Sequence, residues 1–234
     1  MRHCSDLHIH TLASHHAYST LLENVTYAQK AGLSLIAITD HAYGAPDSGN
    51  TWHFGNQVVW PRVMEGVTVL RGAEVNIMDM DGRIDMTQGD LECLDYAIVS
   101  LHPYCVKPAG RDAHLHALMA ALENPLLHTI GHPADVHFEL DFDALARFAA
   151  KKGKRVEINE HAMRFDAVFE MNVSLLAACR KYQCPVVLST DAHVCFEVGR
   201  YPKTDQLLKE ADFPEELIWN RDAAHVLNAL NISQ

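Results

Sequence analysis

The feature that most constrains the fold is a repeated alternation of short apolar runs with stretches of helical period. We predict β-strands for seven runs rich in Val, Ile and Leu, at residues 4–8, 33–39, 68–73, 96–101, 128–131, 155–158 and 185–189. Amphipathic stretches at 21–31, 113–122, 142–152 and 173–182 predict helices between them. Near-continuous apolar strands interleaved with helices are typical of a parallel sheet covered by helices. We therefore expect an α/β fold, a distorted (β/α)7 TIM-like barrel, with residues 1–234 forming one domain.

Two local patterns refine this expectation. Asp141 has the position of an N-cap for the helix at 142–152, and Gly153 follows its basic last turn as a C-terminal cap. The segment at 52–54 is preceded by Gly44, Pro46 and Gly49 and breaks the periodicity. We predict a long loop there, an insertion of the kind that can form a lid.

Charge and cysteine usage narrow the classes of partner. The 30 acidic side chains outnumber 19 basic ones, for a formal net charge of −11, which argues against an extended nucleic-acid surface or an anionic membrane as the partner. The six cysteines form no Cys-x-x-Cys pair, and no apolar leader or membrane-length apolar stretch is present. We expect a reduced, cytoplasmic protein, and a homo-oligomer is compatible with this sequence.

The anomaly in composition is histidine, with 16 residues. They recur directly after predicted strands, and in a parallel barrel the carboxyl ends of the strands meet at one mouth. His8-Ile9-His10 ends the first strand with a spacing that suits one metal ion. Similar side chains end five other strands: His41, Glu74, His102, His132 and the pair Asp191 and His193. This convergence predicts a metal centre.

The motifs DLHIHT, ITDH, GAEVN, SLHP, GHP and STDAH resemble those of the PHP (polymerase and histidinol phosphatase) domain family, in particular its stand-alone bacterial phosphatases. The likeness runs from about Asp6 to Gly199. It implies a distorted seven-stranded barrel that holds three divalent metal ions, zinc first and manganese or iron as alternatives, and that hydrolyses a small phosphate ester.

The resemblance also implies which residues hold each metal. His8, His10, Glu74 and Asp191 would bind the first ion, and Glu74 would bridge to a second bound by His102 and His132. His16, His41 and His193 would bind the third, although the adjacent His15 is an alternative to His16. A hydroxide bridging the first two metals is then the expected nucleophile, with Glu74, Asp191 and His193 as catalytic residues.

Other residues are candidates for supporting roles. Guanidinium and ammonium groups suit phosphate, and the candidates for binding it are Arg62, Arg71, Lys107, Arg111 and Arg164. His53 is a candidate for contacting the substrate, and His53 and His161 are candidates for supporting the metal ligands or protonating the leaving group. Asp6 and Asp40 are candidates for orienting imidazoles. Glu160 and His161 stand where the family has small polar residues, which leaves substrate contacts there open.

Two other functions remain open at this point. A metal-dependent amidohydrolase also begins with His-x-His, but it typically uses a lysine where this chain has Glu74. A PHP-like module with a structural or regulatory role would also bind metal, although a complete ligand set favours an enzyme. The leaving group is not specified by these motifs.

Overall fold

The structure is a computed structural model that describes residues 3–46, 48 and 51–232. Its sheet contains seven parallel strands in the order β1-β2-β4-β5-β6-β7-β8, with β3 added antiparallel to β4. The strands are β1 Ser5–Ile9, β2 Leu35–Ile38, β3 Val63–Met64, β4 Val67–Asn76, β5 Tyr96–Ser100, β6 Thr129–Ile130, β7 Arg155–Asn159 and β8 Val186–Ser189. The first and last parallel strands approach through a bridge between Ile9 and Ala192. The predicted (β/α)7 barrel is therefore confirmed, nearly closed.

Helices alternate with these strands. The helices are α1 Leu21–Ala31, α2 Trp52–Asn56, α3 Gln88–Glu92, α4 Arg111–Ala121, α5 Phe142–Lys152, α6 Asp166–Tyr182, α7 Pro202–Glu210 and α8 Ala223–Ala229. Short 3-10 helices occupy Gln57–Val59, Ala162–Arg164, Cys195–Glu197, Glu215–Leu217 and Trp219–Arg221. None of the helices in the described part of the chain combines the length and apolar character that a membrane span requires.

The two caps predicted for α5 are present. The Asp141 side chain accepts a hydrogen bond from the Ala144 amide, and Gly153 ends the helix in the left-handed region, at φ 65°. Helix α6 begins seven residues earlier than the apolar pattern indicated. The prediction of a long loop at 52–54 is wrong, because these residues form part of α2 and Phe54 is fully buried in the core. Residues 47, 49 and 50, in the stretch that precedes α2, lie outside the described residues.

The barrel interior is divided into two levels. At the amino ends of the strands, Trp219 and the α8 residues Val226 and Leu227 pack against inward-facing side chains that include Leu70 and Tyr96. This apolar plug fills the lower half of the barrel. At the carboxyl ends the interior is lined instead by buried polar side chains. The fold therefore places its polar interior at the mouth, which is where TIM-like barrels carry their functional sites.

Candidate metal centre

The structure brings the nine predicted ligand side chains together at the mouth. Three groups have ligand atoms that all lie within 4.8 Å of one another: His8, His10 and Asp191; His41, Glu74 and His102; and His10, His41 and His193. The remaining two predicted ligands, His16 and His132, contact members of these groups.

The first group depends on an irregularity in β1. The pairing of β1 with β2 shifts register between Asp6 and Ile9, so three residue steps on β1 match two on β2. Adjacent residues Leu7 and His8 consequently both contribute to the barrel interior. The Nε2 atoms of His8 and His10 then lie 3.1 Å apart, and His10 Nε2 lies 3.0 Å from Asp191 Oδ1.

Glu74 lies at the middle of the centre. Its Oε2 atom is 2.9 Å from His41 Nδ1 and 3.5 Å from His8 Nε2. Its Oε1 atom is 2.8 Å from His132 Nε2 and 3.3 Å from His102 Nε2. The two oxygens thus face different sets of imidazoles, which is the arrangement required of a carboxylate that bridges two cations.

The third group is held together by ring contacts. The His16 ring lies 4.4 Å from the His193 ring and 5.3 Å from the His41 ring, measured between centroids. The His10 and His193 rings stack at 4.4 Å. These contacts favour His16 over His15 as the third-site ligand, although both side chains are exposed.

The imidazoles are oriented by partners that sequence reasoning did not assign. The Nδ1 atoms of three histidines bond outward: His8 to Glu157 Oε1 at 2.7 Å, His10 to Ser14 Oγ at 3.0 Å and His102 to Asn76 Oδ1 at 2.7 Å. Their Nε2 atoms are therefore the ones that point into the centre. Strand alternation was the available signal, since Asn76 and Glu157 stand on the inward faces of β4 and β7 near their carboxyl ends.

Asp40 and Asp6 have different roles from each other. Asp40 accepts hydrogen bonds from the Thr11 amide at 2.6 Å, from Ser14 Oγ at 2.8 Å and from His53 Nε2 at 3.1 Å. It thus supports His10 through Ser14, and its pKa is about 2 because the His53 hydrogen bond and nearby charge outweigh burial. Asp6 instead bonds the Thr190 amide at 3.0 Å, which fixes the loop that carries Asp191 and involves no imidazole.

Charge at the centre is unusual for a protein interior. The carboxyl groups of Glu74, Glu157 and Asp191 are buried, and no lysine or arginine among the described residues pairs with them. Burial opposes ionisation, but the surrounding imidazoles outweigh it and hold the pKa of Glu74 and of Asp191 well below the usual range. Conversely, burial disfavours charge on His132, yet Glu74 raises its pKa to about 9.

These observations fit divalent metal ions. Several buried carboxylates with only imidazole partners need a cation, and the inward Nε2 atoms have lone pairs suited to zinc, manganese or iron. Metal ions replace protons at such ligands. His132 and Asp191 also hold left-handed backbone conformations, at φ 23° and 55°, and strain of this kind clusters at functional sites.

The predicted substrate-binding residues are scattered. Arg62 forms an ion pair with Asp95 at the amino end of the barrel, and Arg111 pairs with Asp141 at 2.7 Å. Arg71 donates to the Val58 carbonyl at 3.1 Å, and Lys107 is exposed in the loop after β5. Arg164 lines a cavity beside the centre.

Two cavities of similar size lie at opposite ends of the barrel. One of about 420 Å³ is lined by His3, Glu215 and Arg221 at the amino end, away from every predicted ligand. The other, of about 410 Å³, is lined by His161 and by Thr190, the residue before Asp191. We take the second as the substrate cavity because it adjoins the candidate metal centre.

Comparison with known proteins agrees with the motifs. A model described as the PHP domain matches residues 6–163. The chain belongs to the PHP domain family. A protein of Clostridium botulinum named a probable phosphatase is 37% identical over 231 residues, which cover 98% of this chain and 95% of the relative. A probable phosphatase of Acetivibrio thermocellus is 38% identical over 221 residues, covering 94% and 92%.

The fold is also found in solved structures. The histidinol phosphate phosphatase of Lactococcus lactis, determined with zinc, L-histidinol and phosphate, has a TM-score of 0.63 at 17% identity. The match covers 91% of this chain and 95% of that protein. At this identity the likeness establishes the shared barrel fold.

Proposed function

We propose that this protein is a metal-dependent phosphatase that hydrolyses a small phosphate ester at a centre of three divalent metal ions, with zinc as the first candidate. The observation that carries the proposal is the convergence of nine ligand-type side chains on the barrel mouth with their partners outside the centre. The phosphatase names of relatives that match over nearly their whole length support the choice of reaction.

The contacts suggest an assignment of ligands. His8, His10 and Asp191 would hold the first ion, with Glu74 shared between it and a second ion held by His102 and His132. His16, His41 and His193 would hold the third ion. Such ions acidify water to give a nucleophile at neutral pH and neutralise charge on the phosphoryl group.

The protein's own residues orient the imidazole ligands and support the centre. Glu157, Ser14 and Asn76 fix three imidazoles from behind, so the centre is formed before substrate enters. The negative charge of Glu74 would offset the repulsion between the first and second ions. His161 is half-buried and its ring lies 5.3 Å from that of His193, which supports it as the candidate to protonate the leaving oxygen. His53 is committed to Asp40 and is a support for the centre.

The test combines elemental analysis with enzyme assays on untagged protein purified without chelator. We expect about three metal ions per chain and hydrolysis of p-nitrophenyl phosphate that chelation removes and zinc or manganese restores. Hydrolysis of amides or cyclic amides in place of phosphate esters would favour the amidohydrolase alternative. Stoichiometric metal with no hydrolysis under any metal supply would favour a structural or regulatory module.

A further inference from the structure

The cavity beside the metal centre has a charge that the hydrolysis of a simple ester does not require. Its lining includes Arg164, Arg200 and Lys203, which come from three separate segments: the 3-10 helix after β7, the loop before α7, and α7 itself. In a chain of net charge −11, three cations facing one cavity of about 410 Å³ are a local excess.

None of these three cations has a carboxylate within ion-pairing distance among the described residues. Arg164 instead lies 4.8 Å from the ring of Phe165, and the Lys203 ammonium lies 5.7 Å from the ring of Phe169. Elsewhere cations such as Arg111 and Lys152 have acidic partners at 2.7 Å. The cavity cations are therefore available to a ligand.

The two acidic residues of the cavity do not balance this charge. Glu160 is committed to the start of α7, where its carboxylate accepts from the Lys203 amide at 2.9 Å and from the Thr204 amide at 2.7 Å. That carboxylate therefore offsets the partial positive charge of the helix terminus. The remaining acid, Glu197, is exposed, as are Arg164 and Arg200. Three cations against two acids leave the cavity with a net positive charge.

The position of the cavity decides which part of a substrate it would meet. Thr190 precedes the candidate ligand Asp191, and His161 both stacks on His193 and lines the cavity together with the basic side chains, so the cavity adjoins the centre. A phosphoryl group at the centre would direct its leaving group toward the cavity. The volume exceeds that of one small anion and is within the range of pockets for small molecules.

We propose that this cavity is a subsite for a second anionic group, a phosphate or a carboxylate, carried by the leaving-group portion of the substrate. The inference rests on the proposed phosphatase function and specifies its substrate class. Guanidinium and ammonium groups bind either anion through charge-assisted hydrogen bonds. Arg164 therefore acts on the leaving group and not on the phosphoryl group that is hydrolysed.

The experiment compares esters that differ in one anionic group. Fructose 1,6-bisphosphate against fructose 6-phosphate tests a second phosphate, and 2-phosphoglycerate against glycerol 2-phosphate tests a carboxylate. We expect kcat/KM to be at least about tenfold higher for the two-anion member of one pair, a difference of about 1.4 kcal/mol. The pair that shows the preference identifies the anion.

Variants then locate the preference. Arg164→Gln, Arg200→Gln and Lys203→Gln are each expected to lower the ratio of kcat/KM within that pair by about tenfold, mainly through KM. Lys209→Gln, an exposed lysine on the same helix as Lys203, is the matched control and should leave the ratio unchanged. Equal loss for both members of a pair would overturn the subsite, because the cations would then contact the phosphoryl group itself.

The two proposals can fail separately. Hydrolysis of p-nitrophenyl phosphate with no preference in either pair would leave the phosphatase function standing and overturn the subsite. If no ester is hydrolysed, the phosphatase function fails, and calorimetric titration of the zinc-loaded protein with the same four compounds decides the subsite. Tighter binding of a two-anion compound that Lys203→Gln removes would support it, and equal binding within both pairs would overturn it.

Discussion

Glu157 offers the sharpest test of how the metal centre is supported. Its carboxylate is buried, with 1% of the residue exposed, and four donors converge on its two oxygens. These are His8 Nδ1 at 2.7 Å, the His132 amide at 2.5 Å, Asn159 Nδ2 at 3.2 Å and the Ser189 hydroxyl. Replacing Glu157 by Gln keeps the shape but substitutes an NH2 group for one acceptor.

The expected cost follows from this count. If the new NH2 group replaces Oε2 it faces two donors, the His132 amide and Asn159 Nδ2, and a buried donor without an acceptor costs about 1–3 kcal/mol. If it replaces Oε1, His8 Nδ1 must become the acceptor, which moves the ring hydrogen of His8 to the Nε2 atom that faces the metal centre. Loss of the charge also weakens the remaining bonds, since hydrogen bonds to charged groups contribute about 1.5–3 kcal/mol. We expect Glu157→Gln to lower the free energy of unfolding by about 3 kcal/mol. Zinc affinity should fall about 10–100-fold, the range observed when such supporting partners are changed.

Two measurements separate these effects. Urea unfolding in excess chelator reports stability without the contribution of bound metal, and competition with a chromophoric zinc indicator at fixed pH reports affinity. Glu160→Gln is the control: it weakens the start of α7, at a cost of about 1 kcal/mol, and contacts no predicted ligand. Wild-type zinc affinity in Glu157→Gln would refute the argument that this carboxylate orients His8 and His132.

Three further predictions concern other parts of the molecule. Burial, with help from nearby cations, lowers the pKa of His128 to about 4 from its usual 6.5, so the unfolded chain binds a proton at this residue that the folded chain does not. His128 should therefore contribute about 1.4 kcal/mol per pH unit to the loss of wild-type stability as the pH falls from 6 to 4. His128→Gln cannot titrate, and urea unfolding as a function of pH should show that slope reduced by one proton; an unchanged slope would contradict the assignment. His102→Ala should reduce p-nitrophenyl phosphate hydrolysis to background while Cys93→Ser, at an exposed position, leaves it unchanged; retained activity in His102→Ala would contradict the proposed mechanism. Gly131→Ala would place a methyl group 2.1 Å from Ser100 Oγ, so thermal or urea unfolding should show a loss of about 1–3 kcal/mol, and wild-type stability would show that the barrel wall adjusts there.

The strands were predictable because burial on both sides of a parallel sheet requires apolar side chains at nearly every position. Helix α5 was equally predictable, since Asp141 and Gly153 mark its ends through local chemistry alone. Strand β3 has two residues, and α2 has five, so neither leaves a periodic signal. Phe54 shows why α2 was missed: its helix depends on packing into the core, a contact that the local sequence does not reveal.

The candidate site likewise has a part that the sequence predicted, the ligands, and a part that it did not, their hydrogen-bond partners and the roles of the cations. Histidine and acidic residues that end the parallel strands of a barrel must meet at one mouth. The ligand set could therefore be predicted once the strands had been located in the sequence. The partners behind the ligands are different, because Glu157 and Asn76 reach their imidazoles across 149 and 26 residues of sequence. The roles of the cations also depended on the fold: Arg62 and Arg164 are the same residue type, but one is paired at the amino end of the barrel and the other lines the cavity at its mouth.

The sequence by itself determined the alternation of strands and helices, the barrel that this alternation predicts and the side chains that converge at its mouth, because hydrophobic periodicity and residue chemistry act locally. The tertiary structure alone decided which atom of each imidazole faces the centre, which carboxylates are buried without a cation and which basic residues share a cavity. These properties depend on hydrogen bonds, burial and charge between residues far apart in the chain, and only the folded arrangement sets those distances.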